Sequence, residues 1–323
     1  MQGNASRIIV GLVLGLGLQP MLAAAQAYPV KAVRWIVPFP PGGAADISSR
    51  LIGKKLSEAW GQQVVIDNRP GAAGNVGTEI AARAAPDGYT VVLVPATFTT
   101  YPSLARKPLF KPDDFAPITL VSSSPLVLVV HPSLPVKSVR ELVALAKARP
   151  GALNYASSGI GASAHMAAEL FKSMTKTNIV HVAYKGQPPA IVDLVAGQTQ
   201  LMFPNIPSAL AQVKAKRLRP LAVTTTARSA LFPELPTVAE AGVPGFEVLQ
   251  WGGLVTAAGT PDSITGKFQR DVAAVLKQGE VRQLLVKQGF EAVGNTPAQF
   301  AAFIRAEIAK WAQIIREANI RAD

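Results

Sequence analysis

Short β-branched runs alternate with longer helical stretches along almost the whole chain, and this alternation constrains the fold more than any other feature. The runs read as strands at 33–38, 63–67, 90–94, 118–121, 126–130, 153–156, 179–182, 201–203, 219–224 and 247–256. Between them the spacing predicts helices near 46–60, 75–84, 138–148, 163–173, 187–196, 207–214, 263–277 and 297–318. Short strands separated by helices of about ten residues or more build βαβ units and an α/β fold. The last helix is the clearest. Thr296 and Pro297 fill its cap and first-turn positions, and Phe300, Phe303, Ile304, Ile308, Trp311 and Ile315 follow at helical spacing.

Two of the strand-to-helix turns stand out. Arg34 to Leu51 reads RWIVPFPPGGAADISSRL: an apolar strand, a proline-punctuated loop with Gly42 and Gly43, then a helix expected to open on Asp46 and Ser48. Glycine lets another molecule approach the backbone closely, and the first amides of a helix lack intrahelical partners at the positive end of its dipole. Such a turn is a candidate seat for a carboxylate or phosphate. Leu153 to Met166 reads LNYASSGIGASAHM and repeats the arrangement, with Gly159 and Gly161 opening the loop, Ser163 expected as N-cap, and Ser157 and Ser158 adding hydroxyls. Both loops follow the carboxyl end of a strand, where open α/β sheets bind ligands. The alternative is two ordinary capped helices, and the sequence alone leaves both open.

Residues 1–27 read as a signal peptide: a lone Arg7, an apolar core from Ile8 to Leu18, and Ala25-Gln26-Ala27 as a cleavage site before Tyr28. The mature chain is expected to be exported, to 296 residues of one large domain or two medium ones. There is no cysteine, which excludes a disulfide, a thiol nucleophile and a lipid-anchoring cysteine. The formal charge is +12, or +11 without Arg7, and favours anionic partners. Basic residues are dispersed, their densest run is KAKRLR at Lys214 to Arg219, and aromatic residues are 7% of the chain. Nucleic acid is therefore not an expected partner, and KAKRLR reads as the solvated end of a helix.

Reactive groups are scarce. His131, His165 and His181 form no HExxH pattern, and there is no GxSxG, Walker A or EF-hand motif. No metal, cofactor or catalytic residue is expected. The run Gly71 to Gly77 lacks dinucleotide-fingerprint spacing and reads as a turn into a helix capped by Asn75. Asp113-Asp114 reads as a solvated turn, and His131 and His181 as structural. His165, just inside the second helix, leaves one enzymatic alternative: an exported hydrolase pairing it with Ser158 or Ser163. A chain rich in cradles and poor in nucleophiles points toward binding.

Several segments together resemble one family: YPVKAVRWIVPFPPGGAAD, VVIDNRPGAAGNVG, AAPDGYT, LNYASSGIGASAHMAAELF, HVAYKG, LPTVAEAG and the AAGTP turn. They are similar to exported receptors of tripartite tricarboxylate transporters, the Bug-type solute-binding proteins, over nearly the whole mature chain. The resemblance implies a monomeric, type II-like two-lobed periplasmic binding protein with two crossing hinge strands. One lobe would comprise 28–124 plus 246–323, and the other 125–245. It further implies a small organic carboxylate held between the lobes and delivered to membrane permease subunits, with docking to a signalling partner as a sensor the alternative.

Carried onto this sequence, the first loop contributes Phe39, Gly42, Gly43, Ala44 and Asp46; the second contributes Ser157, Gly161, Ala162, Ser163 and His165, with Thr97 and Tyr184 on the cleft wall. Gly43 and Ala44 amides would donate to the carboxylate, while Asp46, which cannot donate when ionised, would orient loop amides or a water. Family members often carry a second serine where Ala162 stands and an aspartate where Pro204 stands. Pro204 removes an acceptor for an ammonium group, so the expected ligand is a carboxylate without a charged amine, with an apolar or aromatic portion.

Overall fold

A computed structural model describes residues 28–229 and 231–320; the expected signal peptide lies outside them. The chain begins with β1 (Val33–Val37), α1 (Ala44–Trp60), β2 (Val64–Asn68), α2 (Asn75–Ala82), β3 (Thr90–Pro95), α3 (Thr97–Leu104) and β4 (Phe115–Pro125). It continues through β5 (Val127–Val130), α4 (Val139–Ala148), β6 (Asn154–Ser157), α5 (Ser163–Thr175), β7 (Val180–Ala183), α6 (Gln187–Val195), β8 (Leu201–Met202), α7 (Ile206–Lys214) and β9 (Arg219–Val223). It ends with β10 (Leu249–Ala257), α8 (Asp262–Leu276), α9 (Gly279–Lys287), β11 (Glu291–Ala292) and α10 (Pro297–Glu317).

The strands form two sheets, a six-stranded one ordered β11-β4-β10-β3-β1-β2 and a five-stranded one ordered β7-β6-β8-β5-β9. In the first, β1 pairs in parallel with β2 and β3, and β10 runs antiparallel to β3 and β4. Each sheet is covered on both faces, which is why its strands read as continuous apolar runs. In β1, Val33, Trp35 and Val37 face a core with Ile52, Leu56, Phe268 and Val272, while Ile36 faces another with Phe98, Phe300 and Ile304. In the second sheet Leu128 and Val130 point to one core, Val127 and Val129 to the other.

The fold is a two-lobed α/β architecture. The chain crosses between sheets where β4 gives way to β5 around Leu126, and returns through the segment leading from β9 to β10. Thr224 ties the crossings together. Its buried hydroxyl accepts the Leu126 N–H at 2.9 Å and donates to the Val248 carbonyl at 2.7 Å, and its own amide donates to the Leu126 carbonyl. A third link is α10, whose Phe300 and Ile304 lie in a core of the first sheet and whose Trp311, Ile314 and Ile315 lie in a core of the second. Its start matches the reading from sequence: Thr296 and Gln299 form a capping box, with Pro297 in the first turn.

Elements not anticipated are α3, α9 and the short β11. The sequence TFTTYPSL of α3 has β-branched and aromatic residues and an internal Pro102, a poor intrinsic helix. Packing rescues it, with Phe98 against Phe110 and Phe115. Three cap expectations are corrected. The first helix opens at Ala44, with Gly43 rather than a polar side chain at the cap position. Ser163 and Asn75 are the first residues inside their helices, preceded by Ala162 and Gly74 at the cap.

Candidate functional site

Two of these three starts, those of α1 and α5, border a common space. A cavity of about 950 Å³ lies between the two sheets, and Gly43, Ala96, Ala162 and Gly186, the N-cap residues of α1, α3, α5 and α6, all line it. None of the four ends is capped by a side chain. Asn205, also on the wall, caps α7 with its own oxygen, as Ser138 and Thr296 cap α4 and α10 away from it, and α2, α8 and α9 start without a side-chain cap outside the cavity. At α1, α3 and α5 such an end leaves its first amides for water or a ligand, with the helix dipole favouring an anion, whereas at α6 Pro188 and Pro189 have no N–H to offer. Among the described residues lining the cavity there is no Lys, Arg, His, Asp or Glu. An anion here would be held by backbone amides, hydroxyls and side-chain amides instead of by a formal counter-charge.

Of the residues read from sequence, the structure brings Phe39, Gly42, Gly43, Ala44, Thr97, Ala162 and Ser163 to the cavity wall. Asp46, Ser157, Gly161, His165, Tyr184 and Pro204 do not line it. Asp46 is buried and works on the loop: its carboxylate accepts the Gly42 N–H at 2.9 Å, the Asn68 amide at 2.9 Å and the Arg50 guanidinium at 3.0 Å. Asn68 also donates to the Phe39 carbonyl at 3.1 Å, so the loop is fastened at both ends. Burial opposes ionisation of Asp46, but the bonds from Arg50, Gly42 and Asn68 outweigh it and hold its pKa down at about 2. Gly42, at φ +82°, sits in the left-handed region that glycine adopts without strain.

The second loop is fixed in a similar way by a different set. The Ser157 hydroxyl is buried, 2.6 Å from His181 Nε2, and accepts the Gly159 N–H at 3.1 Å. His165 Nδ1 accepts the Gly161 N–H at 3.0 Å, which makes it the unprotonated nitrogen. The two imidazoles stack with ring centres 4.1 Å apart, and Tyr155 stacks on His181 at 4.7 Å. Burial depresses both: His165 to about 3, with further repulsion from His181 and Lys172, and His181 to about 4, opposed by Glu169 and assisted by Lys172. His165 is therefore a neutral, 2% exposed support for the loop. The hydrolase alternative, which needs it beside Ser158 or Ser163 with a free nitrogen, does not fit this geometry.

Gly161 sits at φ +78°, and its carbonyl accepts the Thr100 hydroxyl from α3 at 3.3 Å, a bond between the lobes. The Thr97 hydroxyl donates to the Ala73 carbonyl at 3.1 Å. Tyr184 donates to Asp193 at 2.8 Å, and Pro204 offers its carbonyl to the Val127 amide beside the crossing. Sequence reading missed the walls supplied by strand interiors: Trp35, Leu93, Val121, Ser122, Trp251 and Gly252 all line the cavity. Their apolar runs were legible as strands, but only the assembled sheet shows which face borders the cleft.

A pair of α/β lobes, joined by two crossing segments and enclosing a cleft into which helix N-termini open, defines a periplasmic binding protein. The chain belongs to the tripartite tricarboxylate transporter receptor family, whose sequence model matches residues 48–320. It is 35% identical to the protein BugT of Bordetella pertussis, over 98% of this chain and 99% of the relative. Among solved structures, Rpa4515 of R. palustris with adipate is 38% identical, with a TM-score of 0.77, covering 91% of this chain and 99% of that one. MatC from Rhodopseudomonas palustris with bound malate is 30% identical, with a TM-score of 0.74, covering 89% and 100%. The family is one of periplasmic solute-binding receptors.

Proposed function

We propose that this protein captures a small organic carboxylate between its lobes, 28–124 plus 246–323 and 125–245, and delivers it to the permease subunits of a tripartite tricarboxylate-type transporter. The observation that carries this reading is the convergence of side-chain-free helix N-termini from both lobes on one cleft without ionisable walls. A carboxylate there accepts from the Gly43 and Ala44 amides on one side and from the start of α5, with the Ser163 hydroxyl, on the other. Bridging both lobes, it favours the closed state by its differential contacts. The adipate and malate held by two relatives belong to the same chemical class.

The receptor works in the periplasm after cleavage behind Ala27. Tyr28 supports that boundary, since it is already built into the fold, its hydroxyl donating to the Gly88 carbonyl at 2.6 Å and its ring packed on Trp60 and Tyr89. No described helix is long and apolar enough to cross a membrane. The test is a thermal-shift screen of the mature protein, stripped of copurified ligand, against carboxylic acids. Ligand at 100 times its Kd adds about 2.7 kcal/mol, and each kcal/mol moves the midpoint by about 2–4 °C at this size. A shift of several degrees with at least one acid is expected; none at millimolar concentration overturns the reading.

A further inference from the structure

The cleft is large for a short acid. At about 950 Å³ it approaches the top of the roughly 300–1,000 Å³ typical of small-molecule sites, so what fills the rest is decided by the walls away from the glycine loops. There the floor is one face of the first sheet, made by Leu93 of β3, Val121 and Ser122 of β4, and Gly252 of β10, with Ile52 of α1 and Phe290 beside it. Gly252 makes the space: a Cβ built on it would lie 3.5 Å from Leu93 Cδ1 and 3.9 Å from Ser122 Oγ, so any larger side chain would occupy the floor.

The chemistry of this region is selective. It offers no cation, so a second carboxylate lying on it would be desolvated without a counter-charge. It offers no carboxylate to receive an ammonium group either. Three donors on residues lining the cavity have no partner: the Trp35 and Trp251 indole Nε1 groups and the Ser49 hydroxyl, on residues that are 0%, 2% and 1% exposed. A buried unpaired donor is destabilising, and an acceptor on a ligand would recover that loss.

From these features we infer that the ligand is a monocarboxylate whose remaining body is uncharged and largely apolar, an aryl or medium-chain alkyl group bearing one oxygen acceptor, and that this body lies on the Leu93–Val121–Gly252 floor. The inference rests on the carboxylate-receptor reading and narrows it. Calorimetric titration of the mature receptor compares hexanoate, phenylacetate and 4-methoxybenzoate with propionate, succinate, malate and adipate. At least one apolar monocarboxylate should bind tenfold or more tightly than every dicarboxylate. Gly252→Val should weaken that acid at least tenfold while changing propionate, which does not reach the floor, less than twofold. Ser122→Leu, approaching from the paired strand, reads the same effect independently should the first variant fail to fold. A dicarboxylate as the tightest ligand, or equal losses for propionate and the longer acid in a folded variant, overturns the inference and leaves the receptor reading standing. Absence of binding by every acid overturns both.

Discussion

Asp46 shows how a residue can serve a binding site without touching what is bound. Its carboxylate gathers Gly42, Asn68 and Arg50 around one point, so the glycine loop is held in shape before any ligand arrives. Asp46→Ala would leave the Gly42 amide and the Asn68 side chain short of an acceptor and should cost about 1–3 kcal/mol, measured by urea unfolding. The same variant should weaken carboxylate binding at least tenfold by titration, because the loop amides lose their common orientation. The histidine pair predicts a pH response. In the unfolded chain both imidazoles titrate near 6.5, whereas in the fold burial holds them at about 3 and 4. Above about 6.5 neither state binds the proton, and below it the unfolded chain takes up protons that the native one refuses. Stability should therefore be full at pH 7 and decline as the pH falls from 6.5 toward 4. Unfolding curves across that window check the sign, and His181→Gln should flatten the slope.

At the scale of elements, the strand-helix alternation was legible because apolar runs, glycine turns and the Thr296–Pro297 start each carry a local cause. What was not legible had a tertiary cause. The helix α3 exists because Phe98 packs on Phe110 and Phe115, and nothing local in TFTTYPSL announces that. The expected cap of α5 failed at the site, and that of α2 failed away from it. Ser163 and Asn75 satisfy the usual cap preference in sequence, yet the structure puts Ala162 and Gly74 at those positions. The glycine loops themselves were readable as cradles, whereas the sheet residues facing the cleft were not. Gly253 tests the docking of α10. A Cβ there would fall 2.1 Å from Phe300 Cζ, with no room for the ring to retreat from its own core. Gly253→Ala should lose about 1–3 kcal/mol through overpacking. Differential scanning calorimetry should register this as a midpoint lowered by several degrees.

The whole molecule is governed by how its lobes are joined. Two crossings are tied together at Thr224, and one helix is set into cores of both sheets. Thr224→Val keeps the shape and removes the hydroxyl, stranding the Leu126 amide and a Val248 acceptor position, and should cost about 1–3 kcal/mol. Its distinguishing readout is small-angle scattering: the ligand-free variant should have a larger radius of gyration than the wild-type receptor, and the ligand-saturated forms should match. The uncharged walls of the cleft have a consequence of another kind. Near neutral pH the groups that hold the loops are already committed, Asp46 ionised and both histidines neutral, and nothing lining the cavity can gain or lose a proton. On the proposed function, capture of an ionised acid should exchange no protons with the medium, so the heat released should be the same in buffers of very different ionisation enthalpy.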